Sequence, residues 1–188
     1  MITGLPYTLT VDGVERAINC DFRDVIEILA CYNDPELSDQ ERGYICLHNL
    51  YVDDFTTFGD IEEAQKQAVW FLDGGKEYKE AEDNPRLLDW EQDYNLIISA
   101  VNKVVGDEVR DLEFAHWWTF LGFFTERGEC RYNLVVEIRD KLARGKKLEK
   151  HERQYLRDNR DEIVLKTRLS EEEQAIEDEL FGGGDFGA

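Results

Sequence analysis

Glu113 and His116 stand three residues apart, the spacing that brings a carboxylate and an imidazole to one face of a helix. Di-iron helical bundles use that pair, but they use it twice and add glutamates from two further helices. Only one Glu-x-x-His occurs here, and the other histidines, His48 and His151, lack such a partner. Cys46 and His48 are two apart, so on a helix they diverge and make a poor zinc half-site. Asp53-Asp54 and the trio Asp89, Glu91 and Asp93 have the residue type for acid–base work, which needs an apolar setting to split their pKa values. In a chain with 42 Asp+Glu, chance adjacency accounts for both clusters. "DGGKE" at 73–77 resembles a phosphate loop, without the earlier glycine and without a Ser/Thr after the lysine. No nucleophile elbow or dinucleotide fingerprint occurs. The expectation is therefore no catalytic residue, no metal and no cofactor. The residues read as those of a protein that binds rather than catalyses.

The chain available to position these groups has 188 residues, 42% of them apolar and 12% aromatic. That is enough for a sizeable core and argues against wholesale disorder. The opening "MITGLPYTLTVDG" lacks the basic start and long apolar stretch of a secretory signal, and no run approaches the ~18 apolar residues of a membrane span. A cytosolic location is expected, with Cys20, Cys31, Cys46 and Cys130 reduced. A net charge of −20 repels nucleic-acid phosphates and anionic membrane surfaces, so neither is an expected partner. The charge is uneven. Residues 1–138 carry 11 Lys+Arg against 29 Asp+Glu, residues 139–168 carry 11 against 6, and the last twenty carry none against 7. The basic stretch and the acidic end could attract each other, meet different partners, or stay solvated.

"YTLTV" and "VERAI" flank Asp12-Gly13, which predicts a hairpin over 6–19 with a two-residue turn at positive φ. Asp21 caps a first helix, and "SDQE" is a capping box for a second that runs to about Tyr51. A third helix follows Asp60 and stops at Gly74-Gly75; a polar loop covers 73–84. Asn84-Pro85 is read as the start of a long helix whose stripe runs from Trp90 to Val105. Tyr132, Val135, Val136 and Leu142 mark another, and "LEKHERQYLRDNRDEIVL" a more polar one. Ser170 to Glu173 form a second capping box ahead of "GGGDFGA". The predicted fold is mainly α, a multi-helix bundle with a small N-terminal β-hairpin. It makes one domain over 1–168 with an acidic, partly disordered tail over 169–188.

Between the last two long helices lies "EFAHWWTFLGFF", residues 113–124, with two tryptophans and four phenylalanines in twelve positions. A helix apolar around most of its circumference is usually buried among others. Trp118, Leu121 and Phe124 are assigned to the core, and His116, Trp117 and Phe120 to a partly exposed partner face. Glu171, Glu172 and Glu173 in the tail are a second set of partner-binding candidates.

The succession "VERAINCDFRDVIEILA", "LLDWEQDYNLIISAV", "LEFAHWWTFLGFF" and "YNLVVEIRDKLARGKKLEKHERQYLRDNR" resembles the bacteriophage gene-product-fifteen family of small tailed-phage proteins. Its most specific pieces are Asp89, Trp90, Asp93 and Tyr94, then His116-Trp117-Trp118 and Phe120. Genes of that family lie just upstream of the tape-measure gene. The resemblance implies a non-enzymatic tail assembly chaperone in the host cell cytoplasm, with the tape-measure protein and the major tail (tube) protein as partners and self-association possible. The alternative it leaves open is a structural tail or connector component retained in the virion.

Overall fold

Asp12 and Gly13 take φ of 54° and 71°. Around them β1 (Thr8–Val11) and β2 (Val14–Ala17) pair antiparallel, with Val11 opposite Val14 and Thr8 opposite Ala17. The computed structural model describes residues 4–34, 36–76 and 84–166. Two strands alone are marginal, and this hairpin is held by what lies beneath it. Leu9 and Val11 are buried on one face of β1. At the turn, the Asp12 carboxylate accepts the amides of Gly59 (2.6 Å) and Asp60 (3.1 Å), while its own amide donates to Glu63 (2.7 Å). The turn is thereby clamped to the start of a helix far along the chain.

Eight helices follow among the described residues: α1 (Phe22–Cys31), α2 (Asp39–Leu50), α3 (Ile61–Leu72), α4 (Tyr94–Val105), α5 (Trp117–Thr125), α6 (Arg131–Ala143), α7 (Lys150–Asp158) and α8 (Arg160–Ile163). With the two-stranded hairpin they give the mainly helical fold that the patterning predicts. The first three starts fall where their caps predict. Asp21 accepts the Arg23 amide, Ser38 and Glu41 bond reciprocally, and Asp60 accepts the Glu63 amide. Each satisfies amide donors that the first helical turn leaves free.

Three boundaries differ from expectation. The helix expected from Asn84-Pro85 begins only at Tyr94, because Asp89 orders a separate turn over 90–93. Its carboxylate accepts the amides of Glu91 and Gln92, both at 2.9 Å, and its own amide donates to Asp93 (3.0 Å). The aromatic helix begins at Trp117, since the residues before it pair with the chain leading into α1. Phe22 donates to the Ala115 carbonyl (2.9 Å) and Trp117 to that of Cys20 (2.7 Å). The last polar helix breaks at Asn159, whose side chain turns back to the Tyr155 carbonyl (3.0 Å).

The main core gathers the hairpin and α1 to α5, and a smaller cluster of Val135, Ile138, Leu148 and Ile163 joins α6, α7 and α8. Leu96 of α4 packs against both. On α6 the buried residues are Tyr132, Val135, Ile138 and Arg139, so the expected stripe is corrected: Leu142 is exposed and Val136 half-buried. The buried face includes a cation because that cation has a buried partner, described below. Among the described residues no helix is long and apolar enough to cross a membrane. The expected acidic tail over 169–188, its capping box and the loop residues 77–83 lie outside the described residues.

Candidate functional site

Both tryptophans of α5 donate their indole N–H groups to the end of α3. Trp117 reaches the Leu72 carbonyl and Trp118 the Phe71 carbonyl, each at 2.9 Å. A helix C-terminus leaves its last carbonyls without partners inside the helix, and here side chains from another helix supply them. Gly74 and Gly75 finish the end with φ of 71° and 80°. A Cβ at Gly74 would sit 3.2 Å from Leu121, so α5 approaches this turn closely.

This geometry reverses the expected faces of α5. His116, Trp117 and Phe120 are buried, with Trp117 only 1% exposed, whereas Trp118, Leu121 and Phe124 are half-buried. The cause is on the inner side. Phe120 stacks on Phe22 of α1 at 4.5 Å and beside Trp117 at 5.9 Å, and Trp90 meets Trp117 edge-on at 5.5 Å. His116 caps α5, its Nδ1 accepting the Trp118 amide (3.0 Å), which leaves Nε2–H to donate to the Pro6 carbonyl (2.9 Å). The expectation that His116, Trp117 and Phe120 form a partly exposed face is corrected. They are the seam between α1, α3 and α5.

On the half-buried side Trp118 meets α3, while Phe124 meets Trp90 and Tyr132. Trp70 and Trp118 pack edge to face at 5.2 Å. Beside Trp70 an open, mostly apolar groove of about 500 Å³ runs along α3 over Val69, Gln65, Lys66 and Glu62 to Lys76. The sequence carried a signal for it. Ala68 to Leu72 are five consecutive apolar residues, which at 100° each encircle the helix, so part of that ring must face away from the core.

A second constellation lies where α4, α6 and α8 meet. Asp93, 0% exposed, receives a two-pronged contact from Arg139, with Nη1 at 2.6 Å and Nη2 at 2.8 Å. The same guanidinium donates to the carbonyls of Leu87 (2.9 Å), Ile163 (2.7 Å) and Glu162 (2.8 Å). Asp89, also buried, is paired with Arg86. The trio Asp89, Glu91 and Asp93 is thus no chance adjacency. Two of its members order the turn before α4, and their carboxylates are filled with protein donors. Nearby, burial pushes the Tyr132 phenol up to about 12. An open cleft of about 1070 Å³ borders this region, with Arg131, Lys103, Glu162, Leu96 and Ser99 among its walls.

The remaining candidates separate. Glu113 is exposed in the segment before α5 while His116 is buried, so the two do not share a helix face. Cys46 is buried and His48 exposed. Asp53 pairs with Arg16 at 3.6 Å, whereas Asp54 caps the turn at Phe55–Thr57, and the Thr56 hydroxyl bonded to it holds its carboxyl below the usual range. Among the described residues no group of three His, Cys, Asp or Glu side chains is placed to hold a metal. Glu171, Glu172 and Glu173 lie outside the described residues.

A family model described as Bacteriophage Gp15 protein matches residues 1–165. The chain belongs to that family. The match takes in the hairpin, the Asp89–Asp93 turn, both tryptophans of α5 and Arg139, and ends before the acidic segment. Comparison with curated proteins gives no match, and neither does comparison with solved structures.

Proposed function

We propose that this protein is a non-enzymatic tail assembly chaperone, working in the host cell cytoplasm, that binds the phage tape-measure protein, the tail-tube subunit, or both. Membership of the Bacteriophage Gp15 family makes it a phage protein and sets the context. The observation that carries the reading is the groove on α3 beside Val69 and Trp70, continued by the half-buried Trp118 and Leu121 of α5. A tape-measure protein is long and helical, with apolar stripes that aggregate until the tube covers them. An amphipathic helix laid into an apolar groove is one of the recurring modes of peptide recognition. The strongly acidic remainder of the surface keeps such a loaded complex soluble.

Val69→Glu places a charge in the groove at a half-buried position with no side-chain hydrogen bond to lose. Titrated against tape-measure fragments, this variant is expected to bind at least ~10-fold more weakly, about 1.4 kcal/mol, with an unchanged melting curve. Equal affinity for every fragment would remove the groove from the reading. Quantitative mass spectrometry of purified virions against infected-cell lysate tests the role itself. Abundance in lysate with absence from virions fits a chaperone that acts and leaves. A fixed copy number per virion makes the protein a structural tail or connector component instead.

A further inference from the structure

On α7, Lys150, Arg153 and Arg157 follow at spacings of three and four, which places them on one helix face, and all three are exposed. Lys147, also exposed, stands just ahead of the helix. The acids within the same segment are already engaged. Glu152 is buried against Lys141, Glu149 lies 3.4 Å from His151, and Asp158 accepts both contacts of Gln154 at 2.8 and 2.9 Å. Among the described residues Arg153 and Arg157 donate only close by in sequence, to the Leu148 carbonyl (2.6 Å) and the Gln154 side chain (2.5 Å). Among the described residues the ridge has no carboxylate partner, in a chain where acids outnumber bases by 42 to 22.

The chain itself supplies a match. Its described part ends at Lys166, just past α8, with the Lys166 amide bonded to Gln92 (2.9 Å). Glu171 follows five residues later, a reach of up to ~17 Å, which exceeds the roughly 13 Å length of α7. Residues 169–188 hold seven carboxylates and no Lys or Arg. We propose that Glu171, Glu172 and Glu173 dock in cis on the ridge formed by Lys147, Lys150, Arg153 and Arg157. Each exposed pair contributes little, but the tether holds the two sides at an effective concentration on the order of millimolar. The contact closes the ridge to other polyanions and withholds the acidic segment from partners. A partner with a denser basic patch takes the segment by competition. This inference stands independently of the tail-assembly reading.

The test is zero-length carbodiimide coupling of the full chain, with cross-linked peptides read by mass spectrometry. Residues 171–173 are expected to join Lys147 and Lys150 in preference to the exposed Lys66. The yield should fall at least ~5-fold at about 1 M salt, where the screening length is only about 3 Å. In a mixture of light and isotopically heavy chains, the links should stay within one isotope. Arg153→Glu with Arg157→Glu keeps both reporting lysines and should lower the yield comparably. No preference over Lys66, a yield unmoved by salt or by the double charge reversal, or links joining light to heavy chains would each overturn the proposal. The last outcome would assign the ridge to a second copy.

Discussion

At the scale of single residues, Arg139 decides more than its surface neighbours do. Its five N–H donors face Asp93 and three backbone carbonyls, so one side chain joins α6, the turn before α4 and the end of α8. Removing one partner of such a pair leaves the other buried and uncompensated. Asp93→Asn is therefore expected to cost about 3–5 kcal/mol in urea unfolding. Arg139→Lys should cost a similar amount, because an ammonium cannot reproduce the planar fork. A loss below about 1 kcal/mol in both would show that the pair is dispensable. None of this was legible locally. Asp89 and Asp93 read as chance neighbours in an acidic chain, because the cation that claims Asp93 lies 46 residues away and is brought to it only by the packing of α6 on α4.

Between elements, the end of α3 and the start of α5 form one joint. Trp117→Phe keeps an aromatic ring but leaves the buried Leu72 carbonyl without its donor, an expected cost of about 1–3 kcal/mol to which the void left by the smaller ring adds. Trp118→Phe, at a half-exposed site where water can substitute, should cost clearly less. Equal melting temperatures for the two would contradict the burial that separates them. The loop between α4 and α5 adds a pH dependence. Glu108 is held down at about 2 by the Arg110 side chain, with help from the Arg110 amide and Asn102. A carboxylate depressed in the folded state adds stability above its unfolded value of 4.5, and that stability is lost as pH falls from there toward about 2. Glu108→Gln should accordingly flatten the acid limb of the stability curve in that window and leave its alkaline side unchanged. An identical acid limb would mean that the Arg110 contact does not survive in solution. Caps and turns were the legible part at this scale. Asp21, Ser38 and Asp60 act through neighbours two or three residues away, and Asp12-Gly13 makes its turn through its own positive φ. The facing of α5 was not legible, because a helix with six apolar residues out of nine offers two similarly hydrophobic sides. The stack on Phe22, nearly a hundred positions earlier, chooses between them.

Over the whole molecule, charge works against compactness. Many of the ion pairs are local, such as Lys66 with Glu62, Arg144 with Asp140 and Arg110 with Glu108, and exposed pairs of that kind contribute little. Against them stands the mutual repulsion of a chain at −20. Salt screens both, but repulsion acts over longer distances and is screened first. The buried Asp93–Arg139 pair is shielded from salt by its surroundings. The balance predicts that added sodium chloride stabilises the fold. Between about 0.02 and 0.5 M the melting temperature should rise by roughly 2–4 °C, the shift that about 1 kcal/mol produces in a protein of this size. A fall over that range would mean that attractive pairs outweigh the net charge. The charge-reversed ridge separates these contributions. Arg153→Glu with Arg157→Glu deepens the net charge to about −24, so a general repulsion predicts a steeper rise with salt, whereas loss of an attractive contact predicts a lower melting temperature at low salt that converges on the parent as salt increases.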